Sequence, residues 1–477
     1  MKLLSSILRK IPFYFSVLSL ALLLYHFGYH SAIRHEEHIE LFYTLTLFAV
    51  LIATFVRFFK GERTKNFKAF LFDALSVFLW SFVLITLVQA ISFQISFDAL
   101  AKKSWLVIAI LLAFIRELSA LSVNYKKSLL NPAQLFIGSF LFLIALGAGL
   151  LLMPAATYEG IGFVDALFTA TSAVCVTGLI VVDTGTYFTD FGQIVIMLLF
   201  QLGGLGIMTF ASYFSYFFKG GSTYENQLMF SDMSQSEKLN EVFKAFKNII
   251  LIAFIIELIG AIGVFLSVDK NAFYSLNDQI FFSVFHAVSG FCNAGFSTLK
   301  DSLYTGAFQF NYSLHLIIAV LFIIGGLGFP IVFNLLKYLK YLVKNYFRLY
   351  AEHEKFMHLP RVVNLNSRIV LFTTFSLIVG GTLIFYFLEF NNALQHHSGF
   401  GKWVTAFFSA TTPRTAGFNT VDYSTLQFST IMIILLLMWV GASPGSTGGG
   451  IKTSTFAIAF LNFYNLARGK ERIEIFR

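Results

Sequence analysis

The sequence predicts an all-α integral membrane protein, in which helix–pore-loop–helix units follow an N-terminal four-helix bundle. Three observations predict this class. Apolar residues make up 57% of the 477 residues, more than the roughly 45–50% of ordinary soluble domains. Charged residues make up only 12% and cluster between apolar runs. Three short segments also repeat one another, at 169–183, 285–301 and 408–422.

Residues 1–133 are predicted to be accessory transmembrane helices, because they share no obvious repeat with the rest of the chain. Three apolar runs, at 11–29, 41–59 and 70–93, are long enough to span a bilayer. A fourth, at 105–115, is long enough if it extends to 118. The first run resembles a signal peptide but lacks a small-residue cleavage site, which favours a retained helix.

The remaining chain is interpreted as three pore repeats, each made of a helix, a half-helix, a filter loop and a second helix. The repeats cover 134–218, 249–340 and 368–465, and cytoplasmic linkers are predicted at 219–248 and 341–367. Six further spans are predicted, at 134–153, 191–218, 249–268, 312–336, 369–388 and 428–463. The last run exceeds the length of one span, so we expect it to be broken internally.

Lysine and arginine are distributed asymmetrically among the connections. If ten helices alternate across the membrane, the basic segments all fall on one side; they lie at 2–10, 57–68, 116–127, 337–368 and 468–477. The positive-inside rule places that side, and both termini, in the cytoplasm. The formal charge of +9 is thereby explained without a nucleic-acid partner.

Each repeated segment contains a glycine, and the three are separated by 117 (295−178) and 122 (417−295) residues. Glycine adopts positive φ and can align its carbonyl with those of the two preceding residues. Carbonyls without carboxylates suit a monovalent cation. One such loop could simply cap a re-entrant turn, but three in register favour a selectivity filter that opens outward. The predicted ion-binding residues are Val176, Thr177, Gly178, Asn293, Ala294, Gly295, Thr415, Ala416 and Gly417.

The first half-helix is predicted at Phe163–Val174, with Asp165 near its start, where the helix dipole favours a carboxylate. Cys175 and Cys292 each precede a filter glycine by three positions. Two cysteines cannot form a disulfide framework or a metal site, so we interpret them as small packing residues.

The second helices of the repeats carry their own glycines. The motifs QLGGLGIM (201–208) and IIGGLGFP (323–330) indicate close helix packing. Repeat three instead reads VGASPGSTGGGIKTST from 440, which cannot sustain a helix and must line a cavity at membrane depth. The predicted gate residues are Gly441, Gly445, Ser446, Thr447, Gly448, Gly449, Gly450 and Lys452.

Four charged or titratable side chains near these motifs need partners. Lys452 could repel cations, anchor the gate loop to a carboxylate or extend toward the cytoplasm. Glu257 lies deep within a repeat helix and indicates either a function or a structural pairing with a hydroxyl or Lys452. His286 and Arg414 lie beside filter loops, and we expect Arg414 to brace the carbonyls of the third loop.

Together, TATSAVCVTGL, FHAVSGFCNAGFS, TPRTAGFNTVD and GASPGSTGGGIK resemble motifs of the Trk/Ktr/HKT superfamily, specifically bacterial Trk and Ktr pore-forming subunits, over residues 134–477. The resemblance implies potassium uptake across the cytoplasmic (inner) membrane. It implies K⁺ as the transported ion, bound only at filter carbonyls, and no covalent cofactor. Gly178 favours K⁺ over Na⁺, and the family's gate loop falls on residues 441–452.

The resemblance also implies a homodimer in membrane lipid, resting on cytosolic regulatory subunits that alone bind a nucleotide (ATP/ADP or NAD). Family members have four repeats, so three of an expected four are present and residues 466–477 are expected to begin the link to a fourth. The alternatives are a Na⁺-transporting member or a non-conducting scaffold or regulatory paralogue. An enzyme is not predicted, because the facing helices carry no Ser–His pair, metal-ligand cluster or nucleotide loop.

Overall fold

The computed structural model describes residues 2–29, 36–59, 67–93, 99–120, 132–217, 239–306, 308–351 and 363–469, and its regular elements there are helices. Most of the predicted linker 219–248, part of the linker 341–367 and residues 470–477 lie outside these ranges. Contacts divide the chain into two units. One comprises residues 1–129 with 153–155, and the other 130–152 with 156–477.

The first unit is built from four helices, as the sequence predicts: Lys2–Gly28, Glu36–Phe59, Phe67–Phe93 and Ala99–Ala120. Its buried charges are paired. Arg57 donates to both carboxylate oxygens of Glu117, at 2.8 and 2.7 Å, and Arg116 Nε lies 3.3 Å from Asp73 Oδ1. Burying these groups would be costly without such partners.

In the second unit one order of helices occurs three times. We call the members of each set the leading helix, the half-helix and the trailing helix. The leading helices are Pro132–Leu151, Leu239–Ser267 and Leu365–Glu389. The half-helices are Phe163–Val174, Leu276–Cys292 and Gly399–Thr411. The trailing helices are Asp190–Phe217, Tyr312–Leu327 with Phe329–Ala351, and Phe428–Trp439 with Thr453–Ala467.

The helices fit a membrane protein in length and composition. Within the described residues, five are long and apolar enough to cross a bilayer, or six if one bent pair counts as a single span. The half-helices have 12, 17 and 13 residues, fewer than the roughly 20 that a span needs. Half-helix 1 has the predicted bounds, with Asp165 in its first turn.

Trailing helix 2 corrects one expectation. The predicted uninterrupted span at 312–336 is instead broken at Gly328, where the two halves meet at 106°. Gly328 has a φ of 76°, and a β-carbon there would lie 2.8 Å from the backbone of Gly445. A left-handed glycine ends helices at low cost, and Pro330 follows in the first turn of the next helix, where proline is tolerated.

The hydrophobic core of each repeat extends into the next. The core of repeat 1 includes Phe285 and Phe291 of half-helix 2. The core of repeat 2 includes Phe408 and Phe418, which lie before and after residues 415–417. The half-helices therefore pack the three repeats side by side.

Candidate functional site

Three glycine loops meet in the second unit: loop 1 (176–178), loop 2 (293–295) and loop 3 (415–417). A β-carbon on Gly178 would lie 2.4 Å from the carbonyl oxygen of Ala294. One on Gly295 would lie 3.0 Å from the carbonyl oxygen of Ala416, and one on Gly417 would lie 3.1 Å from Gly295 Cα. The structure thus brings the three loops together and leaves no space for a side chain at Gly178 and little at Gly295 and Gly417.

The same unusual backbone conformation recurs in all three loops. The glycines have φ values of 78°, 72° and 83°. The residues two positions earlier also have positive φ: 55° at Val176, 58° at Asn293 and 81° at Thr415. Non-glycine residues rarely adopt this region, and for β-branched residues it indicates strain imposed by the surroundings. From the sequence, positive φ was expected only at the glycines.

Loops 1 and 2 leave their half-helices through the same pair of hydrogen bonds. Thr177 N–H donates to the carbonyl of Ser172 at 2.8 Å, and Val176 N–H donates to Ala173 at 3.0 Å. Half-helix 2 ends with the equivalent pair. This Schellman closure places a left-handed residue just beyond each helix. The negative ends of the two helix dipoles are therefore held next to the loops.

Loop 3 leaves its half-helix differently. Ala416 N–H donates to the carbonyl of Thr412 at 2.9 Å, and Gly417 N–H contacts the same carbonyl at 3.4 Å. Its Thr415 hydroxyl is joined to the amide of Asn293 in loop 2 at 3.3 Å. Loops 2 and 3 are therefore connected by side chains as well as by packing.

Hydroxyl and imidazole groups hold loops 2 and 3 from the half-helix side. Ser289 Oγ donates to the carbonyl of Phe296 at 2.7 Å, and Thr412 Oγ1 donates to that of Phe418 at 2.8 Å. Each of these carbonyls belongs to the residue after a loop glycine. His286 Nε2 also hydrogen-bonds to Ser297 Oγ at 2.9 Å, which holds the segment that follows loop 2.

The trailing helices approach the half-helices through the glycines predicted to pack closely. A β-carbon on Gly203 would lie 2.0 Å from the carbonyl oxygen of Val174. One on Gly325 would lie 1.9 Å from the carbonyl oxygen of Phe291. This contact recurs in repeats 1 and 2 and confirms the packing prediction for both glycine motifs.

Trailing helix 3 is interrupted at residues 440–452, which we call the broken segment, as the sequence predicts. The segment folds back on itself: Gly441 N–H donates to the carbonyl of Ile451 and Ala442 N–H to that of Gly449, both at 3.1 Å. A β-carbon on Gly441 would lie 1.9 Å from the carbonyl oxygen of Gly449. The two arms can therefore touch only because glycine stands at 441.

The broken segment contacts all three repeats. A β-carbon on Gly448 would lie 2.3 Å from Thr415 Oγ1 of loop 3. Thr447 Cγ2 lies 3.4 Å from the β-carbon position of Gly204 on trailing helix 1. Ser443 N–H donates to the carbonyl of Gly326, next to the bend of trailing helix 2, at 2.9 Å. The segment therefore lies beside the glycine loops.

Two cationic side chains hold the broken segment through its carbonyls. Lys452 Nζ donates to the carbonyl of Gly448 at 2.6 Å, so it anchors the segment, but to a carbonyl and not to a carboxylate. Arg414 donates from Nε to Val440 at 3.3 Å and from a terminal nitrogen to Gly441 at 3.1 Å. The expectation that Arg414 braces the carbonyls of its own loop is wrong, because its side chain reaches across to the broken segment.

Glu257 has a partner other than those expected. Both its carboxylate oxygens accept from Gln201 Nε2 of trailing helix 1, at 2.9 Å each, so its partner is an amide and not Lys452 or a hydroxyl. Gln201 Oε1 accepts in turn from Cys292 Sγ at 3.2 Å. Cys292 is buried, as a packing residue should be, whereas Cys175 is exposed.

The described part of the chain holds no group of three His, Cys, Asp or Glu residues that could bind a metal ion. The polar atoms that the loops can offer to a cation are backbone carbonyls, hydroxyls and the side-chain amide oxygen of Asn293. Such neutral oxygen ligands suit a weakly held monovalent cation.

Comparison with known proteins identifies similar chains. The family model TrkH, described as "Cation transport protein", matches residues 106–475. The Ktr system potassium uptake protein B of Bacillus subtilis is 39% identical, over 72% of this chain and 73% of that protein. The potassium/sodium uptake protein NtpJ of Enterococcus hirae is 35% identical, over 73% and 72%. The crystal structure of the potassium transporter TrkH from Vibrio parahaemolyticus has a similar fold, with a TM-score of 0.54 and 20% identity over 85% of this chain and 77% of that one.

Proposed function

The chain belongs to the TrkH family of cation transport proteins, and we propose that it takes up potassium through a pathway lined by the three glycine loops. The observation that carries this proposal is the packing of Gly178 against loop 2 and of Gly295 against Gly417 in loop 3, with positive φ values at the same positions in all three loops. Loop carbonyls would replace the hydration shell of the ion. Half-helix C-termini directed at the loops would add favourable potential.

We propose potassium as the physiological ion in preference to sodium. Support comes from Gly178, since a serine at this position goes with sodium transport in some plant members of the superfamily that the motifs resemble. The names of the relatives point the same way in part: one is a potassium uptake protein and one a potassium/sodium uptake protein. Sodium uptake is therefore the competing outcome of the test below.

The broken segment is proposed as the gate, with Gly441, Gly445, Ser446, Thr447, Gly448, Gly449, Gly450 and Lys452 as its working residues. Support comes from its position against loop 3 and from the lysine and arginine that hold it through its backbone carbonyls. Because Arg414 directly precedes loop 3, its bonds link the segment to that loop. The segment is continuous with both halves of trailing helix 3, so a small movement of that helix would move it.

The proposed setting is a bacterial cytoplasmic membrane, with both termini in the cytoplasm and a homodimer as the working unit. Regulatory subunits that bind a nucleotide would act on the cytoplasmic side. Support comes from the basic connections of the sequence and from relatives named as components of a Ktr system. We propose no nucleotide site on this chain itself.

The test is K⁺ uptake in bacterial cells that lack their own K⁺ transporters, over micromolar to millimolar external K⁺. Saturable uptake that Gly295→Asp abolishes and Gly149→Ala retains is expected, because no atom lies within 4 Å of a β-carbon on Gly149. Uptake of Na⁺ in place of K⁺ would show that the transported ion is sodium. Uptake that survives Gly295→Asp would contradict the assignment of the loops.

A further inference from the structure

Glu257 is a buried carboxylate that the proposed pathway does not use. Only 4% of its surface is exposed, and it lies ten residues before the end of leading helix 2 at Ser267, or about 15 Å along the helix axis. It is therefore far from either end of a membrane-spanning helix. Ionisable groups at such positions are costly and usually functional.

In its hydrogen bonds Glu257 acts as an acceptor, as an ionised carboxylate does. Gln201 Oε1 is occupied by the thiol of Cys292 at 3.2 Å, so only the amide nitrogen of Gln201 faces Glu257. Both carboxylate oxygens accept from that nitrogen at 2.9 Å.

Within the described residues, no lysine, arginine or histidine lies at ion-pair distance from Glu257; the ion pairs there are those of Arg57 and Arg116. A buried charge that has only a neutral amide as its partner remains uncompensated. A cation held nearby would offset the cost of burying this charge.

The hydrogen-bond chain from Glu257 leads to the glycine loops. Cys292 is the last residue of half-helix 2 and directly precedes Asn293 of loop 2. Gly204 lies three residues after Gln201 on trailing helix 1. Its β-carbon position is 3.0 Å from Cys292 Sγ and 3.4 Å from Thr447 of the broken segment. The carboxylate is thus separated from loop 2 by a single side-chain amide and a thiol.

From this geometry we propose that the transported cation is the counter-charge of Glu257, which acts as a positioning residue that raises cation affinity at loop 2 without touching the ion. This inference rests on the proposed function. A unit charge about 10 Å from the ion, in an effective dielectric of about 20, changes cation affinity by about tenfold.

The experiment compares the kinetics of K⁺ uptake by the full chain and by Glu257→Gln, which keeps the shape and removes the charge. We expect KM for K⁺ to rise about tenfold with Vmax within about twofold, because the charge acts on binding. A purely structural role would lower Vmax through loss of protein and leave KM unchanged. An unchanged KM in Glu257→Gln, with wild-type uptake intact, would overturn the inference alone.

A matched control is Glu389→Gln. Glu389 is also fully buried on a leading helix and also accepts from neutral donors, Thr430 at 2.5 Å and Asn392 at 2.7 Å, but it stands at the helix end. We expect its KM to stay within about twofold, since its charge is not linked to a loop. An equal rise of KM in both variants would overturn the inference as well.

The double exchange Glu257→Gln with Gln201→Glu moves the charge to the other partner of the same hydrogen bond. Recovery of KM to within about threefold of wild type is expected, and a KM that remains raised would overturn the inference. This variant also decides the matter if Glu257→Gln does not reach the membrane. Absence of saturable cation uptake by the wild-type chain would overturn the proposed function, and this inference with it.

Discussion

At the scale of single residues, Gly178 is the position where space is most limited among the three loop glycines. Alanine there would place its β-carbon 2.4 Å from the carbonyl oxygen of Ala294 in a backbone of φ 78°. We expect Gly178→Ala to lower K⁺ uptake at least about tenfold, since loop 1 or loop 2 must move. Gly149→Ala, which meets no atom within 4 Å, is the control. Equal uptake by both variants, measured with equal membrane abundance, would contradict the packing of the loops.

Ser289 tests whether the loop carbonyls are held in place by side chains. Its hydroxyl is fully buried and donates to Phe296 at 2.7 Å, so Ser289→Ala leaves that carbonyl without this donor at a cost of about 1 kcal/mol. We expect the ratio of K⁺ to Na⁺ uptake to fall several-fold. Ser283→Ala is the control, because Ser283 lies on the same half-helix and bonds only to the carbonyl of Gln279, one turn earlier. A selectivity ratio that falls equally in both variants would argue against a specific role for Ser289.

The sequence predicted the residues of the loops better than their conformations. Gly178, Gly295 and Gly417 do have positive φ, as expected for glycine. The positive φ of Val176 was not predictable, because a β-branched residue enters that region only when neighbouring segments force it. The partner of Glu257 was missed for a similar reason: Gln201 is 56 residues away in sequence, and nothing local marks the pair.

At the scale of elements, neighbouring glycines of the broken segment differ sharply. A β-carbon on Gly448 would lie 2.3 Å from Thr415 Oγ1, whereas one on Gly449 meets nothing within 4 Å. We expect Gly448→Ala to displace the segment from loop 3 and to raise uptake measured without regulatory subunits several-fold. Gly449→Ala is expected to remain within about twofold of wild type, since surface changes with no contact have small effects. Lower uptake by Gly448→Ala would mean that the displaced segment blocks the pathway and does not open it.

Of the two breaks in the trailing helices, one was predictable from the amino-acid composition and the other was not. The glycines and proline between 441 and 450 exclude a helix, so the interruption of trailing helix 3 was predictable. The bend at Gly328 was not predicted, because the preceding glycines were interpreted as packing residues, which Gly325 indeed is. The available signal was Pro330, two residues after Gly328. Proline is tolerated in the first turn of a helix, so Pro330 could have indicated that a new helix starts there.

At the scale of the whole second unit, the repeats are joined by aromatic side chains on the half-helices. Phe200 of trailing helix 1 packs edge-on against Phe285 of half-helix 2, with centroids 5.5 Å apart. Phe322 of trailing helix 2 packs edge-on against Phe408 of half-helix 3, at 5.4 Å. Because the same type of contact occurs at both junctions, each half-helix positions its own loop and stabilises its neighbour.

Phe408 offers the most direct test of this coupling. It is fully buried in the core of repeat 2, although it belongs to half-helix 3. Phe408→Ala would therefore open a cavity between the two repeats, and we expect the stability of the purified protein to fall by about 3–5 kcal/mol. Thermal unfolding in detergent, with and without K⁺, measures this change.

Phe400→Ala on the same half-helix is the control, because 67% of the Phe400 surface is exposed. We expect it to change stability by less than about 0.5 kcal/mol, as surface substitutions do. Phe408→Ala should also weaken the stabilisation by K⁺. Loop 3 begins only seven residues after Phe408, and its contact with loop 2 depends on the packing of repeat 3 against repeat 2. Phe408→Ala could instead lower the stability strongly and leave the stabilisation by K⁺ unchanged. That result would show that Phe408 holds the two repeats together but does not affect how the loops bind K⁺.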